Sequence, residues 1–119
     1  MNYKVSHPTK VVECEIDLPS SKSISNRLLI IKALCKEDFE IKNLSDSDDT
    51  ISLQKALVND TETMDIGAAG TTFRFLTAYL STQVGRKFIL TGTERMKERP
   101  IGDLVSALKI YGINISFTI

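Results

Sequence analysis

The chain has 119 residues, one domain's worth or less, and its 42% hydrophobic and 25% charged residues are ordinary for a globular protein. Fifteen Lys and Arg offset fifteen Asp and Glu, which argues against the net basic surface of a general nucleic-acid binder but not against a local basic pocket. No apolar run approaches ~18 residues and no signal peptide is evident, so a cytoplasmic chain without a membrane span is expected.

Residues 1–10 are weakly patterned. His7 is the only histidine and receives no role, because a lone histidine makes neither a triad nor a metal site. Val12, Cys14, Ile16 and Leu18 alternate with Glu13, Glu15 and Asp17, which predicts a strand with one buried face. Pro19 stops it. Ile24, Leu28, Ile31 and Cys35 recur at helical spacing and predict a helix over 22–36. Phe39 and Ile41 alternate with Glu40 and Lys42 as a short strand. Cys14 and Cys35 sit in apolar patterns without metal spacing, so reduced core cysteines are expected.

The acidic run Ser45-Asp46-Ser47-Asp48-Asp49-Thr50 invites a calcium reading. The central Gly and distal Glu of an EF-hand loop are missing, so it reads instead as a helix start capped by Asp or Ser. That helix runs about 49–58 with Leu53, Ala56 and Leu57 on its apolar side. Thr63–Ile66 is a brief extended segment, and Gly67–Thr72 is a turn. Phe73, Leu76, Leu80 and Val84 mark one face of the next helix, ended by Gly85. Phe88–Leu90 reads as a strand, Thr91-Gly92 as a turn, and Arg95–Arg99 as a basic loop. Pro100 suits the first turn of a helix carrying Ile101, Leu104, Val105 and Leu108, with Gly112 as its stop. Ile113, Ile115, Phe117 and Ile119 alternate with polar residues as a last strand, inside which the chain stops. An unpaired apolar strand is an aggregation hazard, so a truncated chain is expected. Alternating strands and helices give the α/β class.

Three helix starts carry residues suited to anions. Ser20–Arg27 offers Lys22, Ser23, Ser25 and Arg27 where helical N–H groups are free. An ordinary serine cap with two solvated cations fits that stretch equally. Gly67–Thr72 offers Gly70, which lets a ligand approach the backbone, with Arg74 just inside the helix. A tight turn uses the same glycines. Neither stretch is a P-loop or a dinucleotide fingerprint. Arg95-Met96-Lys97-Glu98-Arg99-Pro100 places three cations ahead of a helix, which alone reads as a solvated run. Three such starts in one chain favour a shared anionic site.

In that order, LPSSKSISNR, GAAGTTFRFLTA and LTGTERMKERPIGDLVSAL resemble the 3-phosphoshikimate 1-carboxyvinyltransferase (EPSP synthase) family from about Val12 to Gly112. The RMKERPIG stretch is very specific to it. The resemblance implies transfer of the enolpyruvyl group from phosphoenolpyruvate to shikimate 3-phosphate, in the shikimate pathway of aromatic amino acid biosynthesis, with inorganic phosphate released and no metal or organic cofactor. It implies a two-lobed inside-out α/β barrel of βαβαββ units with the active site between lobes. Residues 1–20 would be a strand segment joining the other lobe, and 21–119 a truncated first part of the N-terminal lobe. By motif, Lys22, Ser23 and Arg27 would bind shikimate 3-phosphate. Lys22, Gly70, Thr71 and Arg95 would bind phosphoenolpyruvate, with Arg95 on its carboxylate. Lys22 would be catalytic in proton transfer, since a lysine crowded by cations holds its proton less tightly. Arg74, Lys97 and Arg99 would support the site's shape.

Ala68 and Phe75 stand where the family commonly has Asn and Pro, and the segment between Asp49 and Gly67 is shorter than in many members. The family's catalytic carboxylates fall outside this chain, and none of Asp46, Asp48 and Asp49 reads as a substitute. The isolated chain is therefore expected to be inactive and to need the missing lobe. Partners would be the two small-molecule substrates, with no nucleic acid and no membrane. The sister transferase acting on a UDP-amino sugar is disfavoured by RMKERPIG. A small anion- or RNA-binding module is disfavoured by zero net charge and by basic loops without stacking aromatics.

Overall fold

The computed structural model describes residues 1–59 and 61–117. In chain order they form α1 (Lys22–Leu34), α2 (Asp48–Val58), β1 (Thr63–Asp65), α3 (Gly70–Leu80), β2 (Ile89–Thr91), α4 (Glu94–Lys97) and α5 (Gly102–Ile110). β1 and β2 pair in parallel with Met64 opposite Leu90, and α3 is the crossover between them. The α/β class holds, as one βαβ unit preceded by two helices and followed by two more.

Local chemistry explains the helix bounds. Ser21 caps α1 by accepting from the Ile24 N–H at 3.4 Å, and Ser47 caps α2 by accepting from Thr50 at the same distance. The turn before α3 is an Asx turn in which Asp65 Oδ1 accepts the Gly67 N–H at 2.9 Å, with Gly67 at φ 58°. Past the ladder, Ile66 N–H donates to the Thr91 carbonyl and Thr93 N–H to the Gly67 carbonyl, both at 3.0 Å. A Cβ on Gly92 would collide with that Gly67 carbonyl oxygen. Glycine at 92 therefore lets the end of β2 close onto the turn that launches α3.

Leu29, Leu53, Ala56, Met64, Ile66, Leu76 and Met96 form the core, and Ile101 and Val105 of α5 are also buried. The apolar side expected of α2 is the buried one. On α3 Leu76 is fully buried, but the helix ends at Leu80 and Val84 lies beyond it, exposed. The basic loop holds one helical turn, α4, whose Met96 side chain anchors it in the core. No helix among the described residues is long and apolar enough to cross a membrane.

Several expectations are overturned. The predicted strands at 12–18 and 39–41 and the described part of the one at 113–119 have no ladder; Thr118 and Ile119 lie outside the described residues. Alternating sequence makes a segment capable of pairing, but a strand exists only where a partner supplies hydrogen bonds. No neighbouring strand reaches these segments among the described residues, and Val12, Ile16 and Leu18 are exposed. The radius of gyration, 18.6 Å, accordingly exceeds the roughly 13.5 Å of a compact chain this long. The α1 stripe also faces the wrong way. Ile24, Ile31 and Cys35 are exposed and Leu28 only half-buried, while Ser25, Asn26 and Leu29 face α2 and the core. Periodicity finds an apolar face without saying what covers it. Both cysteines are free and exposed rather than in the core. Beyond α1, Lys32 pairs with Asp38 at 2.8 Å and donates to the Phe39 carbonyl at 2.6 Å. The hydrogen bond and charge of Lys32 hold the Asp38 carboxyl below its usual range, so this tie weakens as pH falls through that lowered value.

Leu76→Ala should cost about 2–5 kcal/mol of stability in denaturant unfolding, because it opens a cavity at the centre of the core. In the same protein, amides of residues 11–18 should exchange with solvent at nearly unprotected rates, and protection there would show a ladder partner.

Candidate functional site

The site is built on three helix starts. α1 begins with Lys22 and Ser23, α3 with Gly70 and Thr71, and between them stands the first turn of α2. Asp49 in that turn is the hub. Its Oδ1 lies 3.5 Å from Lys22 Nζ, its Oδ2 accepts the Thr71 N–H at 3.2 Å, and its carbonyl accepts from Thr72 Oγ1 at 2.7 Å. Side-chain exposure is 46% for Lys22 and 18% for Asp49, so the pair spans the edge between solvent and interior. A carboxylate, not another cation, is thus the charge beside Lys22.

A buried polar relay sets where Asp49 stands. Thr50 Oγ1 donates to Asn26 Oδ1 at 2.8 Å, and both side chains are fully buried. Ser25 Oγ accepts the Ser45 N–H at 2.9 Å, and Ser45 Oγ accepts the Ser47 N–H at 3.2 Å. These bonds fasten the start of α2 to the inner face of α1. Asn26 Nδ2 is buried without a partner among the described residues, a cost the relay carries.

The basic motif closes on α3. Arg74 Nη2 donates to the Pro100 carbonyl at 3.1 Å. A Cβ on Gly70 would lie 2.8 Å from Arg99 Nη1 and 3.0 Å from its Cδ, so the Arg99 side chain crosses directly over Gly70. Lys97 pairs with Glu94 at 2.7 Å on an exposed turn. Arg95 is exposed and makes no hydrogen bond or ion pair among the described residues. Arg27 donates to the Ser23 carbonyl at 2.9 Å, and its guanidinium lies 5.7 Å from the centroid of the Phe75 ring on α3.

Lys22 and Thr71 are therefore brought together through Asp49, Arg27 is led toward α3 by Phe75, and Gly70 lies under Arg99. Ser23 is exposed at the α1 start, and Arg95 projects from α4. Backbone amides, an ammonium and guanidinium groups around two adjoining helix starts can hold phosphate and carboxylate groups. Among the described residues no three His, Cys, Asp or Glu side chains group as metal ligands. Sequence reading missed Asp49, Asn26 and Thr50. Asp49 reads as one more first-turn acid, and only the packing of α2 between α1 and α3 distinguishes it from Asp48.

The EPSP synthase (3-phosphoshikimate 1-carboxyvinyltransferase) family model matches residues 6–59 and 52–118. The chain belongs to the EPSP synthase family. It is 54% identical over 117 residues to the 3-phosphoshikimate 1-carboxyvinyltransferase of Bacteroides fragilis strain YCH46, covering 98% of this chain and 28% of that protein. The enzymes of that name from Vibrio vulnificus strain YJ016 and Bordetella pertussis strain Tohama I are 38% identical over 136 residues and 42% identical over 126. These matches cover 92% and 87% of this chain, and 32% and 28% of the relatives. The chain thus spans under a third of the length of these EPSP synthase relatives. Of its departures from the family pattern, Ala68 is exposed, and Phe75 supplies the ring under Arg27.

Gly70→Ala should cost less than about 1 kcal/mol of stability, because the atoms it crowds belong to the exposed, flexible Arg99 side chain, which can shift, and alanine favours a helix over glycine by up to about 1 kcal/mol. With Arg99→Ala any penalty should vanish and the helical preference for alanine should remain, in a double-mutant cycle of denaturant unfolding. An equal penalty in both backgrounds would place the strain elsewhere.

Proposed function

We propose that this chain supplies the first part of the substrate site of an enolpyruvyl transferase that converts shikimate 3-phosphate and phosphoenolpyruvate to the enolpyruvyl ether and inorganic phosphate, in the cytoplasm. The observation that carries the reading is the convergence of α1 and α3 at Asp49, which sets Lys22 beside the Thr71 amide. Residues 21–119 would form the opening part of one lobe. Residues 1–20 would be a strand that pairs in the other lobe, which accounts for its apolar side chains standing in solvent here.

Both substrates carry a phosphate and a carboxylate, and the site's chemistry is anion clamping. Ser23 and Arg27 would hold the phosphate of shikimate 3-phosphate. Lys22 would bridge the two substrates and take part in proton transfer. Gly70 and Thr71 would face phosphoenolpyruvate, with Arg95, an exposed cation without a hydrogen bond or ion pair among the described residues, on its carboxylate. The acid/base carboxylates and the remaining clamps belong to the rest of a full-length enzyme, which this chain would need for turnover.

The test is a chimera. This chain should replace the 117 matched residues of the Bacteroides fragilis relative, and phosphate release should be measured with both substrates. Turnover by the chimera, with only background release by residues 1–119 alone, is the expected outcome. A folded chimera without turnover, or robust turnover by the isolated chain, would overturn the proposal.

In the chimera, Arg95→Ala should raise KM for phosphoenolpyruvate about tenfold to a hundredfold, the worth of a charge-assisted carboxylate contact. KM for shikimate 3-phosphate should move much less. Equal weakening of both would remove Arg95 from the carboxylate.

A further inference from the structure

We propose that Asp49 is an intramolecular competitor for anions at this site: a resident carboxylate that occupies Lys22 and the Thr71 amide and so weakens the hold on inorganic phosphate. The inference rests on the anion-site reading above and adds a residue with a function opposite to that of its neighbours. Lys22 and Arg27 on α1 and Arg74 on α3 are cations, and Asp49 sets an opposite charge beside Lys22.

The geometry gives the carboxylate the position an anionic ligand would take. Oδ1 faces the Lys22 ammonium at 3.5 Å, and Oδ2 accepts the Thr71 N–H at 3.2 Å, at the positive end of the α3 dipole. Its main chain is held in place, so the carboxylate starts from a fixed point between Lys22 and Thr71. The carbonyl of Asp49 is held by Thr72 Oγ1 at 2.7 Å, and its neighbour Thr50 is bonded to buried Asn26 at 2.8 Å. A phosphate arriving at Lys22 must therefore displace this contact or share the ammonium with a nearby negative charge, and either weakens binding. In the proposed reaction inorganic phosphate is a product, and a resident competitor shortens its stay.

The charge is separable from the scaffold. Asp49→Asn and Asp49→Ser remove the charge while keeping a short polar side chain that suits a first helical turn. Loss of a merely structural residue weakens ligand binding or leaves it unchanged, whereas loss of a competitor tightens it. Asp48→Asn removes the same unit of charge one residue away, from an exposed side chain with no hydrogen bond or ion pair among the described residues, and serves as the control.

Inorganic phosphate is titrated into the 119-residue chain at constant ionic strength while amide shifts of Lys22, Ser23 and Thr71 are followed. Binding near ~1 mM is expected for the unaltered chain. Both Asp49 variants should bind roughly three- to fivefold tighter, the scale of a partly exposed ion pair, and Asp48→Asn should not change. Without any variant, saturating phosphate should also move the Asp49 carboxylate carbon resonance as Lys22 leaves it. Unchanged or weaker binding in the Asp49 variants, or an unmoved Asp49 resonance at saturation, overturns the competitor role while leaving the anion site standing. No shift at these amides in any of the proteins overturns the site and the competitor together.

Discussion

The hydrogen bond from Thr50 Oγ1 to Asn26 Oδ1, made where neither side chain touches water, is the constraint on which the site depends. A buried hydroxyl and a buried amide oxygen must find partners, and here they satisfy each other across two helices, while Asn26 Nδ2 goes without one among the described residues. That fixes where the first turn of α2 sits on α1. Everything nearer the surface inherits the placement: Asp49 follows Thr50, and through Asp49 the starts of α1 and α3 are set side by side. Leu53 and Ala56 on the next turns of α2 then enter the core with Leu29 and Leu76, so polar registry and apolar packing act on the same helix.

Close backbone approach performs a similar task on the other side. Gly92 lets the end of β2 meet the Gly67 carbonyl, and Gly70 lets Arg99 cross the start of α3. The basic motif is thereby held against the helix start by the close approach of Arg99 to Gly70 and by the Arg74–Pro100 bond, with no ion pair between them among the described residues. Arg95 keeps its charge available at the surface, while Lys97 pairs with Glu94. Met96, buried at the centre of α4, holds that one turn in place while Arg95 and Lys97 remain outside.

The exposed apolar residues have one physical meaning under the proposed function. Ile24 and Ile31 on α1 and the arm through Val12, Ile16 and Leu18 lie in solvent in a chain that spans 28% of its Bacteroides relative. Two sets of apolar side chains at regular spacing, one helical and one alternating, are surfaces ready to be buried. The remaining part of a full-length enzyme is the occupant that the proposed function calls for.

The sequence by itself determined the helices and the chemistry of the site. Capping residues, glycine stops and apolar spacing are local signals, and α1, α2, α3 and α5 fall close to where they point. The motifs holding Lys22, Ser23, Arg27, Gly70, Thr71 and Arg95 carry their meaning as strings of residues, so the family could be read from them. Only the tertiary structure decided which segments become strands, because a ladder needs a partner and alternation such as Val12–Leu18 does not provide one. It also decided that α1 turns Ser25 and Asn26 inward and Ile24 and Ile31 outward, since polar side chains with buried partners can take an inner face. And it alone separated Asp49 from Asp48. The two are adjacent acids in the same first turn, and the difference between a solvated charge and the hub of the site lies in the roughly 100° of helical rotation between them.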